Sequence, residues 1–252
     1  MSRFVLEVMY DGTKFHGSQV QGETSTVQLE INRALSTLLR TPIVSFGASR
    51  TDEGVHALSN YYHFDMDDAL PTDLLYKCNS ILPHSLSVKR ICRAIDPEFN
   101  ARFDAVRRRY RYRIYFKKDP FLHQRALYYP FCINHSVLKE TAGVIKEYEH
   151  FESFAKRSSQ TKTYNCRILQ SYWEEKDGEL HYVVEANRFL RGMVRGLVGT
   201  QLQIARYSGT ADDLRKIIEA NDCTKAYFNV AGHGLYLENI EYPEGTLETV
   251  GG

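Results

Sequence analysis

Gly47-Ala48-Ser49-Arg50-Thr51-Asp52-Glu53-Gly54-Val55-His56-Ala57 sets an arginine, two carboxylates and hydroxyls between two glycines, with a histidine just beyond. The runs on either side, 43–46 and 59–65, are rich in β-forming residues. The stretch therefore reads as the connection between two strands, held in a tight turn that presents polar side chains.

Working outward from that turn gives the order of elements. Upstream, residues 4–10 read as a strand that ends at Asp11-Gly12. Ser25-x-x-Gln28 reads as a capping box opening a helix whose Val27, Ile31, Leu35 and Leu38 share one face up to Arg40, before Pro42. Downstream come a helix over about 72–80 (Leu74, Leu75, Cys78) and a strand over 87–94, so the first half is β-α-β-β-α-β. The second half repeats this order with one extra helix. It has a strand at 109–116, a helix at 136–148, and a hairpin of 166–174 and 180–186 turning at Lys176-Asp177-Gly178. A long helix over 189–205, a helix over 211–220 after Thr210, and a strand at 235–242 follow. The expected fold class is α+β: two ferredoxin-like βαββαβ halves with a seam near Asn100 to Val106.

The 252 residues and 43% hydrophobic content are enough for packed cores. Five cysteines (Cys78, Cys92, Cys132, Cys166, Cys223) without a Cys-x-x-Cys pair argue against a disulfide framework or a thiolate zinc site. That favours a reducing, cytoplasmic setting. No apolar run is long enough to span a bilayer, and the first residues do not read as a signal peptide. The nine histidines include no His-Glu-x-x-His pair, and there is no Walker loop, dinucleotide fingerprint or Gly-x-Ser-x-Gly elbow. Neither a metal nor a cofactor is expected. Asp52 with His56 also fits the acid–base pair of a hydrolase, for which the sequence offers no nucleophile.

The net charge is only +1, but its distribution is uneven. From Arg102 to Lys118 there are eight basic residues against one acid, Asp104, a local excess of seven. In a strand, Tyr110, Tyr112, Ile114 and Phe116 share one face, and Arg109, Arg111, Arg113 and Tyr115 the other. Such a cationic face with tyrosines beside it suits nucleic acid; the plainer alternative is a charged edge strand that blocks aggregation. A second basic row, Arg188, Arg191 and Arg195, is spaced to share a face of the 189–205 helix. Its Gly192, Gly196 and Gly199 remove bulk and would let another backbone, protein or RNA, come close; ordinary helix packing with the arginines in solvent is the alternative.

Together these residues resemble the TruA-type tRNA pseudouridine synthases. The central turn Arg50-Thr51-Asp52-x-Gly54-Val55-His56-Ala57 is similar to the family's central motif. The start, Tyr10-Asp11-Gly12-Thr13-x-Phe15-x-Gly17-x-Gln19 followed by Thr26-Val27-Gln28, matches its opening. Ala101-Arg102-Phe103 with Arg109-Tyr110-Arg111-Tyr112 resembles its tyrosine motif. Phe151-x-Ser153-Phe154 and Asn187-x-Phe189-Leu190-x-x-Met193-Val194-Arg195 resemble later signatures, and Gly234-Leu235-Tyr236-Leu237 the closing strand.

The resemblance implies conversion of uridine to pseudouridine in tRNA, in the anticodon stem-loop, by a cofactor-free homodimer. A diverged synthase with another RNA target, or a non-catalytic RNA-binding protein on the same fold, are the alternatives. It implies Asp52 as nucleophile, Tyr110 as the ring that stacks on the base or acts as general base, and Arg195 as the cation paired with Asp52. Arg50 would help extrude the uridine, and Leu235 would wall the pocket. Arg109, Arg111, Arg113 and Arg191 are the further RNA-binding candidates. The expected division is 1–103, carrying the aspartate loop, and 104–252, carrying the tyrosine strand and arginine helix. Two positions depart from the family pattern: Ser18 stands where a tryptophan is usual, and Ser49 where a glycine is usual, inside the turn that aims Asp52.

Overall fold

The computed structural model describes residues 2–22, 24–67, 69–157 and 162–250. They form an α+β chain with five α-helices among the described residues, which divides into two compact units, Met1–Val106 with Leu237–Gly252, and Arg107–Tyr236.

The first unit begins with β1 (Ser2–Tyr10), α1 (Val27–Leu39), β2 (Phe46–Gly47), β3 (His56–Met66), α2 (Leu74–Ile81) and β4 (Leu86–Ala94). β1 is the central strand: Phe4 to Val8 are all buried, and Leu6 faces Tyr62 of β3 on one side and Ile91 of β4 on the other, both antiparallel. β2 pairs with β3 through Phe46–His63, which gives the order β4-β1-β3-β2. Val27, Ile31, Ala34 and Leu35 of α1 and Leu74 and Cys78 of α2 are buried. The α1 cap differs from the expected capping box. Thr26, not Ser25, is the N-cap and accepts from Leu29 N–H. The Gln28 side chain instead accepts Val20 N–H and donates to Ser45 O, tying α1 to the segment before β2.

The second unit holds β5 (Arg107–Tyr115), β6 (Leu127–Tyr128), α3 (His135–Ile145), β7 (Ile168–Lys176), β8 (Glu179–Ala186), α4 (Met193–Arg206) and α5 (Ala211–Glu219). β5, β8 and β7 lie side by side and antiparallel, while β6 joins β5 in parallel, so the sheet is mixed. The β7–β8 hairpin turns on Asp177 and Gly178, both at positive φ (53° and 79°), the backbone that a two-residue turn requires. α5 starts with a capping box in which Thr210 and Asp213 bond reciprocally. The Trp173 indole and the Thr141 hydroxyl both donate to buried Gln201, which joins β7, α3 and α4.

The long helix is shorter than its sequence pattern. Gly192 sits at φ 74° as N-cap of α4, so Arg188 and Arg191 precede the helix and do not share its face with Arg195. The close approach permitted by the α4 glycines goes to protein: a Cβ on Gly199 would lie 2.3 Å from the Tyr227 carbonyl.

The chain then returns through β9 (Leu235–Glu241) and β10 (Leu247–Thr249). β10 pairs with β4 from Leu247–Ala94 to Thr249–Cys92, and Val106 N–H donates to Glu241 O at 2.8 Å. These ladders place 237–252 with the first unit, unlike the linear division at residue 103, and the change of unit falls between Val106 and Arg107.

Candidate active site

The Gly47–Ala57 turn is fixed from below by buried polar groups. Ala48 N–H closes on Tyr61 O at 2.8 Å. Asn60, wholly buried on β3, accepts Ser49 N–H at 3.3 Å and donates to Ser49 O at 3.0 Å and to the Tyr10 hydroxyl at 3.2 Å. The Tyr10 hydroxyl in turn bonds the Thr51 hydroxyl at 2.9 Å. Ser18 completes the cradle: its hydroxyl accepts Thr51 N–H at 2.8 Å and its amide donates to Thr51 O at 3.0 Å. Asp52 follows at once, partly exposed, and Val55 N–H to Asp52 O at 3.2 Å with Gly54 at φ 76° closes the tight turn.

Behind the turn, the His56 ring is 2% exposed and its Nδ1 takes the Gly12 amide at 3.1 Å. Gly12 has no room for a side chain there, since a Cβ would lie 2.0 Å from Val55 O. His56 is thus built into the base of the turn. Ser49, the expected strain point, is not among the described residues with positive φ, so the turn does not need a glycine there.

In the second unit, Tyr110 is 8% exposed on β5, its ring edge-on to Phe189 at 5.1 Å. Arg195, in the first turn of α4, donates through Nε to Val230 O at 2.9 Å. Its charge works against the burial that pushes the Tyr112 phenol well up. The Tyr112 hydroxyl donates to Ala231 O at 2.7 Å just before the Gly232–Gly234 turn that delivers buried Leu235.

The arginine strand keeps its alternation, with Tyr110, Tyr112 and Ile114 buried and Arg109, Arg111 and Arg113 half-buried. Tyr115 departs from it, being buried against Tyr128 of β6. The neighbouring strands match much of the positive charge. Glu185 lies 3.8 and 3.7 Å from Arg107 and Arg109, Glu174 lies 3.8 Å from Arg111, and Glu179 takes Arg113 at 2.6 Å. Arg109 also donates to the Tyr172 hydroxyl at 3.0 Å. Sequence reasoning missed these carboxylates and the supporting roles of Ser18, Asn60 and Tyr10 beneath the turn, because all are set by pairing across strands or loops.

Among the described residues no helix is long and apolar enough to cross a membrane, and no cluster of three or more His, Cys, Asp or Glu side chains forms a metal site.

The class indicated is that of the pseudouridine synthases: the family model described as tRNA pseudouridine synthase matches residues 148–243, in the second half of the chain. The similarity extends along the whole chain. tRNA pseudouridine synthase A of Parabacteroides distasonis is 40% identical over 247 residues, 97% of each chain. The proteins of the same name from Bacteroides thetaiotaomicron and Bacillus subtilis are 40% and 34% identical, over 97% and 95% of this chain and 92% and 99% of their own. This chain belongs to the tRNA pseudouridine synthase family, a family of isomerases.

Proposed function

We propose that this protein isomerises uridine to pseudouridine in tRNA, in the anticodon stem-loop, with Asp52 as its nucleophile. The observation that carries the reading is the Arg50-Thr51-Asp52 turn, held on buried polar supports in a chain 40% identical to a tRNA pseudouridine synthase A over 97% of its length.

In this reading the bond from N1 to C1′ breaks, the base rotates, and C5 bonds to C1′. The reaction is redox-neutral and consumes no co-substrate. Arg50 holds the backbone while the uridine leaves its stack, and Tyr110 stacks on the freed ring, offsetting the few kcal/mol of unstacking. Asp52 acts as a carboxylate, by attack at C1′ or C6 or by assisting a glycal. The proposal pairs this carboxylate with the Arg195 guanidinium. Tyr110 or Asp52 takes the proton that leaves C5, and Leu235 supplies an apolar wall.

The order β4-β1-β3-β2 supports a ferredoxin-like path for the first half, and the β5-β8-β7 order is the same path's core in the second. The working form in this proposal is a cytoplasmic homodimer that binds tRNA and needs no cofactor. Release of tritium from C5-labelled uridine in tRNA tests the activity directly. Release with wild type is expected; its absence on every tRNA, with binding retained, would identify a non-catalytic RNA-binding protein.

A further inference from the structure

Beside the catalytic turn, within the first unit, lies a recess of about 150 Å³. Its walls include Gln19, Phe46, Arg50, Asn100, Arg102 and Phe103, and Ser18 and Tyr62 also line it. No carboxylate lines it, so its charge is positive. Asp104, the acid of the neighbouring loop, is turned to the Asn100 amide at 2.7 Å. Arg50 is exposed and has no carboxylate partner among the described residues.

The rings at the rim are placed as no core residue would be. Phe103 is 74% exposed, with the Arg102 guanidinium 5.3 Å from its centroid, and Phe46 is 55% exposed and stacked on His63 at 5.3 Å. Neither position is loose. The Asn100 side chain accepts both Arg102 N–H and Phe103 N–H, at 3.0 and 3.3 Å, and Phe46 is paired with β3. The recess therefore offers exposed rings on a fixed backbone, two guanidinium groups and the amide groups of Gln19 and Asn100 in one place.

Rings and guanidinium planes that stack on unpaired bases, amides that reach base edges and cations that take the phosphate are the means by which single-stranded RNA is held. We propose that this recess is a second nucleotide subsite, which receives an unpaired base adjoining the target uridine and holds its phosphate between Arg50 and Arg102. The proposal rests on the synthase reading, because Arg50 links the subsite to Asp52 two residues on. Stacking on Phe103 or Phe46 then splays the strand on one side of the target and fixes the register in which the uridine is offered.

The test uses synthetic tRNA hairpins that wild type isomerises, carrying 5-iodouridine at the nucleotide before or after the target uridine. Irradiation of the complex with the Asp52→Asn protein is followed by peptide mass mapping. From one of the two positions the crosslink is expected on Phe103 or Phe46. Phe103→Ala is expected to raise KM about tenfold with kcat within about twofold, the scale of one lost base–aromatic stack. Crosslinks that avoid both rings from both positions, on a hairpin that wild type isomerises, overturn the subsite and leave the synthase reading standing. Failure of wild type to isomerise any tRNA overturns the synthase reading instead.

Discussion

The Ser18 hydroxyl accepts the Thr51 amide at 2.8 Å while the Ser18 amide donates to the Thr51 carbonyl at 3.0 Å, so one residue holds both backbone groups of the residue before Asp52. Both side chains are buried, at 2% and 8% exposure, and the same hydroxyl reaches Ser49 O at 3.4 Å. The two positions that depart from the family pattern are thus in contact.

Ser18→Ala leaves the Thr51 amide without its acceptor, which costs about 1–3 kcal/mol of stability for a buried donor. It also loosens the turn that aims Asp52. Turnover is expected to fall about tenfold or more with KM little changed, because small misplacements of a reacting group act on the chemical step. Steady-state kinetics on a tRNA transcript, with a urea midpoint alongside, decide it. An unchanged kcat in a destabilised but folded variant would show that Ser18 does not position Asp52.

Asp52→Asn keeps the side-chain volume and removes the charge and the nucleophile. Tritium release is expected to vanish while tRNA affinity stays within about twofold, since phosphate contacts from arginine and lysine dominate such affinities. Residual turnover by the purified variant would sink the assignment.

How much of this was legible in the sequence depends on how local each determinant is. The alternation along β5 follows from the period of a strand, and Tyr110, Tyr112 and Ile114 are buried as that period requires. The start of α4 differs from the sequence pattern because Phe189, Leu190 and three spaced arginines imitate a helix face, while Gly192 at φ 74° breaks it. Ser25 and Thr26 are both competent caps; Thr26 takes the position, and Gln28 bonds Ser45 and Val20 instead of closing a capping box. The Ser18–Thr51 contact joins residues 33 apart and leaves no trace in local pattern. The carboxylates that face the arginine strand are visible as letters, but only the β5–β8–β7 register shows which arginine each one meets.

That register separates the arginines by how closely each is held by a carboxylate. Arg113 is held by two bonds to Glu179, at 2.6 and 2.8 Å, whereas Arg109 and Arg111 lie 3.7 and 3.8 Å from Glu185 and Glu174. A phosphate competes far better with the looser pairs. Replacing Arg109 and Arg111 together by Gln is expected to flatten the dependence of tRNA affinity on salt by about one to two units of logarithmic slope. Arg113→Gln is expected to leave the slope alone and lower stability. Filter binding across a salt series distinguishes them, and a slope unmoved by the double change would remove this face of β5 from the RNA interface.

Glu179 also faces His181 Nε2 at 3.2 Å, and the pair contributes to how stability responds to acid. Burial pushes the Glu179 carboxyl up, but the bonds from Arg113 and His181 outweigh it and hold the group below its ordinary 4.5. Burial holds His181 below its ordinary 6.5, despite Glu179. In both cases the unfolded chain binds protons more readily than the folded one, so stability rises with pH. It is fully present above 6.5, declines first as His181 resists protonation, and declines again below 4.5 as Glu179 is forced to protonate. Glu179→Gln is expected to cost about 1.5–3 kcal/mol near neutral pH, the range for a hydrogen bond to a charged group. The gap between wild type and variant is expected to narrow as the pH drops below 4.5, where wild type loses the same charge. Urea midpoints over that range measure it. A gap that stays constant to the acid limit would mean that the Arg113 pair on the strand carrying Tyr110 does not depend on Glu179 being ionised.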